Sequence, residues 1–135
     1  MRWKIPGNLR YTTDHEWARL DGSIAVCGIS DYAQDALGDI TYIELPEQGR
    51  EVQQGESFAV IETVKATADV YAPVSGTIVE VNYGLEEQPE LVNNDPYGKG
   101  WIAKIEMTNP DEFDELLDAA AYAEHVRAEA QKASD

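Results

Sequence analysis

Phe58-Ala59-Val60-Ile61-Glu62-Thr63-Val64-Lys65-Ala66-Thr67-Ala68-Asp69-Val70-Tyr71-Ala72-Pro73 is the stretch on which the reading of this chain turns. Its two apolar-rich runs, 58–61 and 68–71, have the β-branched and aromatic content of strands, and the short segment between them reads as a hairpin turn. Lys65 stands at the middle of that turn. A lysine at the tip of a short hairpin presents its amine freely to solvent. One enzyme can modify such an amine, and others can then meet the attached group. An exposed turn lysine is ordinarily a solubilising charge; its surroundings set this one apart. Glu62 precedes it by three residues, an alanine follows, and Ala72-Pro73-x-x-Gly76 begins seven residues on. Acylation would remove the charge and attach chemistry that no side chain supplies. The stretch predicts a carrier with a covalently attached swinging group, not an enzyme with its own active site.

Working outward, Pro46-x-x-Gly49-x-x-Val52 returns 27 residues later as Pro73-x-x-Gly76-x-x-Val79, with Ile43 matched by Val70 and Leu45 by Ala72. Two such units joined by the Lys65 hairpin predict a pseudo-twofold β-structure. Upstream, 15–20 and 23–29 read as a hairpin about Asp21-Gly22, a dipeptide that tolerates positive backbone angles. Ser30 predicts the cap of a short helix over 31–37, which Gly38 ends. Strands are expected over 40–45, 77–82 and 101–107, with a loop containing a helical turn over 84–94. Asn109-Pro110-Asp111 marks a helix start, and Asp118 caps a second helix running toward Lys132, fraying after about Ala128. Closely spaced strands followed by helices predict a mainly β or α+β sandwich or flattened barrel with helical decorations. They leave no room for the crossovers of a parallel sheet.

The 135 residues suit one domain, 1–135, with a core over about 9–108 and a helical extension over about 109–132. Hydrophobic residues make up 43%, enough to bury a core. The net charge of −16, from 26 acidic and 10 basic residues, repels nucleic acid and anionic lipid. No apolar run approaches the roughly 18 residues of a membrane span, and the first residues lack the apolar segment of a secretory signal. The expectation is a cytoplasmic location, with no nucleic-acid or membrane partner. The single cysteine, Cys27, lies in an apolar run and reads as a small buried hydrophobe. His15 and His125 are the only histidines and lie far apart in the chain, so spacing supports no metal site. The glycines at 49, 55, 98 and 100 form no phosphate loop, and Ser75-Gly76 no nucleophile elbow.

Glu62-Thr63-Val64-Lys65-Ala66 with Asp69-Val70-Tyr71-Ala72-Pro73-Val74-Ser75-Gly76 resembles the lipoyl-attachment region of the glycine cleavage H protein family. The likeness extends through Leu9-Arg10-Tyr11-Thr12, His15-Glu16-Trp17, Gly28-Ile29-Ser30-Asp31-Tyr32-Ala33-Gln34, Leu37-Gly38-Asp39-Ile40, Pro89-Glu90-Leu91-Val92-Asn93 and Asp95-Pro96-Tyr97-Gly98-Lys99-Gly100-Trp101, covering about 9–125. Thr63 stands where the family commonly has serine, another small hydroxyl, and the stretch 31–35 varies around Tyr32.

The resemblance implies a lipoyl-domain-like barrel-sandwich hybrid, with a short helix in its N-terminal part and C-terminal helices. It implies lipoate joined by an amide to Lys65 and no catalytic residue. It further implies a carrier that takes the aminomethyl group of glycine from glycine decarboxylase to the aminomethyltransferase. Dihydrolipoyl dehydrogenase restores the oxidised arm, and a lipoate ligase or lipoyl transferase loads the lysine. A monomer suffices for such a shuttle. Glu16 reads either as a surface acid capping or solvating a strand end, or as a group near the loaded arm that pairs with its amine. The alternative client set is sulfur oxidation, in which H-like lipoate-binding carriers serve heterodisulfide-reductase-like complexes. Val64 and Ala66 flank the lysine where a biotin carrier favours methionine.

Overall fold

The structure, a computed structural model, describes residues 2–134. Its strands are β1 (Arg10–Tyr11), β2 (Glu16–Asp21), β3 (Ile24–Ile29), β4 (Ile40–Glu44), β5 (Glu51–Val52), β6 (Ser57–Thr63), β7 (Thr67–Tyr71), β8 (Gly76–Val81) and β9 (Ala103–Met107). Helices α1 (Asp31–Leu37), α2 (Leu91–Asn94), α3 (Asp111–Asp114) and α4 (Ala119–Ser134) interleave with a 3-10 turn at Tyr83–Glu86. One sheet has the order β1-β2-β3-β9-β8-β5 and the other β4-β6-β7. Ile78 and Ile105 from the first join Ile43, Ile61 and Val70 from the second in one core, all 1% exposed or less. This is the barrel-sandwich arrangement that the resemblance implied.

A second cluster explains why Ile24–Ile29 reads as an almost unbroken apolar run. Ala25 and Cys27 face the sandwich, while Val26 faces outward with Trp17 into a cluster completed by Tyr11, Tyr122 and Val126. A strand covered on both faces has no polar side to alternate with. Helix α4 supplies the outer cover, with Tyr122 stacked on Tyr11 at 4.4 Å between ring centroids and 4° between planes. Tyr11 and Leu117 exchange backbone hydrogen bonds of 2.9 Å, fixing the chain where it enters α4.

The local signals fall where expected. Ser30 Oγ accepts from the Ala33 N–H and opens α1, and Gly38 at φ 82° ends it. Asp118 Oδ1 accepts from the Ala121 N–H at the start of α4. Three readings need correction. The first hairpin pairs Asp21 with Ile24, so its two turn residues are Gly22 and Ser23, not Asp21 and Gly22. Helix α4 continues past Ala128 to Ser134, and Glu129, one residue beyond Ala128, meets histidines from two parts of the chain. The repeat places Pro46 and Pro73 alike in buried positions, yet its two glycines serve different ends. Gly49 adopts φ 94°, whereas a Cβ on Gly76 would lie 2.0 Å from the Glu106 carbonyl oxygen across the β8–β9 pair. No helix among the described residues is long and apolar enough to cross a membrane.

Candidate functional site

The Lys65 hairpin forms by the chemistry of its own turn. Ile61 pairs with Ala68 and Glu62 with Thr67, which leaves the tip to close on itself. The Thr63 N–H donates to the Ala66 carbonyl at 2.9 Å, and the Ala66 N–H donates to Thr63 Oγ1 at 3.0 Å. A small hydroxyl at position 63 therefore clamps the turn and leaves Val64 and Lys65 projecting outward. Val64 is 87% exposed, and Lys65 is exposed beside it. None of the ion pairs among the described residues involves Lys65. Its Cε and Nζ lean over Gly38, 3.6 and 3.9 Å from where a Cβ would stand there. A Cβ at position 38 would make ordinary contact with the lysine, and a side chain there would strain a backbone already at φ 82°.

A cleft of roughly 260 Å³ runs beside this hairpin. Its apolar walls come from Ala33 and Leu37 of α1 and from Ile61 and Val70 of the hairpin strands. Its polar lining comes from Asp14, His15, Glu16, Asp69 and Glu129. Glu16, only 2% exposed, accepts from the Thr12 hydroxyl at 2.5 Å and from the Tyr71 N–H at 3.2 Å. Burial is the largest influence on its carboxyl and raises the pKa to about 7, against the opposing pull of these hydrogen bonds. A cation entering the cleft would favour the ionised form. Glu16 and the lysine hairpin, separated in sequence, thus border one cavity. Sequence reasoning missed Asp14, Asp69 and Glu129 as partners in this lining, since single acids on separate elements carry no spacing signal. Cys27 lies outside the cleft. Its buried thiol, pushed up to about 12 chiefly by desolvation, contacts the Ala103 carbonyl at 3.4 Å.

These residues fit a lysine-tethered arm. The amine is exposed and unpaired among the described residues, and an apolar-walled cleft with an anionic end begins next to it. A family model described as glycine cleavage H-protein matches residues 9–129. A glycine cleavage system H protein of Symbiobacterium thermophilum is 56% identical over 118 residues, covering 87% of this chain and 92% of that protein. One of Thermus thermophilus is 56% identical over 126 residues, covering 93% of this chain and 98% of that protein. The crystal structure of a glycine cleavage system H protein from Mycobacterium marinum superposes with a TM-score of 0.81 at 40% identity, covering 88% of this chain and 96% of that one.

Proposed function

Because the chain belongs to the glycine cleavage H-protein family, we propose that it is the lipoyl carrier of the glycine cleavage system and that Lys65 bears the lipoyl group. The observation that carries this reading is the exposed Lys65, unpaired among the described residues, at a self-clamped hairpin tip beside the cleft. The protein's own part is presentation. Thr63 holds the turn, Gly38 ends α1 beside the lysine stem, and α1 with the hairpin strands forms a wall against which an apolar arm can lie. Glu16, flanked by Asp14 and Asp69, forms the anionic end that would receive a cationic amine. When bound, the lipoyl group supplies the dithiolane chemistry that carries the aminomethyl group of glycine. The chain contributes no catalytic side chain; its clients are glycine decarboxylase, the aminomethyltransferase and dihydrolipoyl dehydrogenase, with a lipoate ligase or lipoyl transferase for loading. Relatives named for glycine cleavage favour this client set over sulfur oxidation.

The test has two arms. Intact-mass spectrometry after incubation with lipoate ligase, lipoate and ATP should show one lipoyl adduct on the wild-type chain and none on a folded Lys65→Arg variant. An adduct retained by Lys65→Arg would overturn the site. Lipoylated protein mixed with the three glycine-cleavage enzymes should support glycine-dependent release of carbon dioxide; failure of that exchange, with the adduct present, would overturn the client set.

A further inference from the structure

We propose that His15, His125 and Glu129 form a binding site for a divalent transition-metal ion of the zinc class, at the polar end of the cleft beside the lysine hairpin. Their ligand atoms all lie within 4.8 Å of one another. His15 Nε2 is 2.8 Å from Glu129 Oε2, and His125 Nε2 is 3.1 Å from Glu129 Oε1. Tetrahedral coordination with bonds of about 2.0–2.1 Å sets ligand atoms about 3.3 Å apart, so an ion requires the two imidazole–carboxylate contacts to open slightly and the set, within 4.8 Å overall, to draw in around it. Two imidazoles with one carboxylate suit zinc, cobalt or nickel rather than the oxygen-only preference of magnesium and calcium. Three protein ligands leave a fourth position for water.

Three features of the fold point the same way. His125 and Glu129 are four residues apart on α4 and share one helix face. His15 sits at φ 75°, the only described non-glycine residue with positive φ, held by its N–H to the Thr12 carbonyl at 3.2 Å and by the Ser30 N–H to its own carbonyl at 2.9 Å. Such strain persists where surrounding structure enforces a side-chain direction. The far nitrogen of His15, Nδ1, is 2.8 Å from the Tyr122 hydroxyl, which lies 2.6 Å from Ser30 Oγ. A metal-bound histidine keeps its orientation and its proton through such a partner on the other nitrogen.

Without metal, each Nε2 can donate to the carboxylate, and His125 Nε2 also lies 2.9 Å from the Thr13 carbonyl. On binding, the proton of each neutral imidazole moves to Nδ1. His15 then donates to Tyr122, and the carbonyl of exposed Thr13 turns to water. The ligand side chains of His15, His125 and Glu129 are 15%, 28% and 39% exposed, which leaves the ion a route of entry.

The experiment titrates the full chain, without lipoate, with Co²⁺ followed by visible absorption and with Zn²⁺ followed by calorimetry. The expected result is one ion per chain with the intense absorption of tetrahedral cobalt, displaced by Zn²⁺ and not by millimolar Mg²⁺. The ring-proton resonances of both histidines should shift together in the unmutated chain. Tyr122→Phe should weaken binding roughly 10- to 100-fold, and His125→Gln or Glu129→Gln by more than that. Absence of saturable uptake, equal binding by folded His125→Gln, or a shift of only one histidine would overturn the site.

Discussion

Glu16→Gln tests the electrostatics of the cleft through folding stability alone. The Glu16 carboxyl is buried, and its pKa in the folded chain is about 7 against an ordinary value of 4.5. A group that binds its proton more tightly when folded favours folding in acid and disfavours it once both states are ionised. Its contribution therefore declines as the pH rises from about 4.5 through about 7. Each unit of separation corresponds to about 1.36 kcal/mol, so the whole span is on the order of 3 kcal/mol, most of which falls between about pH 5 and about pH 8.5. Glutamine preserves the shape: its carbonyl can accept from Tyr71 and its amide can donate to Thr12 Oγ1. Urea unfolding of both proteins at the two pH values gives the comparison. His15 and the surface acids contribute to both and cancel in the difference. The wild type should lose on the order of 2 to 3 kcal/mol relative to the variant on going to the higher pH. A wild-type-minus-variant difference that stays flat across this range would refute the buried-carboxyl reasoning and, with it, the idea that the cleft favours an incoming cation.

Gly76→Ala should cost at least about 3 kcal/mol by denaturant midpoint, because the new methyl would meet the Glu106 backbone oxygen where neither strand can yield; wild-type stability would show that β8 and β9 do not approach so closely. Thr63→Ala should cost about 1 kcal/mol through loss of the turn's hydroxyl contacts, and Thr63→Ser should restore most of it; equal stability of all three proteins would remove the hydroxyl clamp. Cys27, 1% exposed with its thiol pushed up to about 12, should react with an aromatic disulfide reagent roughly 10³-fold or more slowly in the native chain than in the unfolded one. Native labelling within tenfold of the unfolded rate would contradict its burial.

Where a feature depends on neighbouring residues, it was legible in the chain. Ser30, Gly38 and Asp118 delimit helices through their own backbone preferences and hydrogen bonds, and Thr63-Val64-Lys65-Ala66 closes a turn within four residues. The alternation that builds the sandwich, and the unbroken run of β3, follow from which faces are covered. The shift of the first turn to Gly22-Ser23 was not legible, because cross-strand register and not the preference of Asp-Gly sets it. Nor were the partners of Glu129, which come from the other end of the protein and from one helical turn earlier.

The amino-acid sequence alone therefore determined the β-rich architecture and the outward lysine, because hydrophobic periodicity and turn chemistry act over a few residues. The tertiary structure decided the cleft and the metal-ligand triad. Its long-range packing of α4 against β1 to β3 brings His15 to His125, with ring centroids 5.4 Å apart. Chain folding creates proximity that no spacing in the sequence encodes, and the same packing that buries Glu16 gives its carboxyl an unusual affinity for a proton.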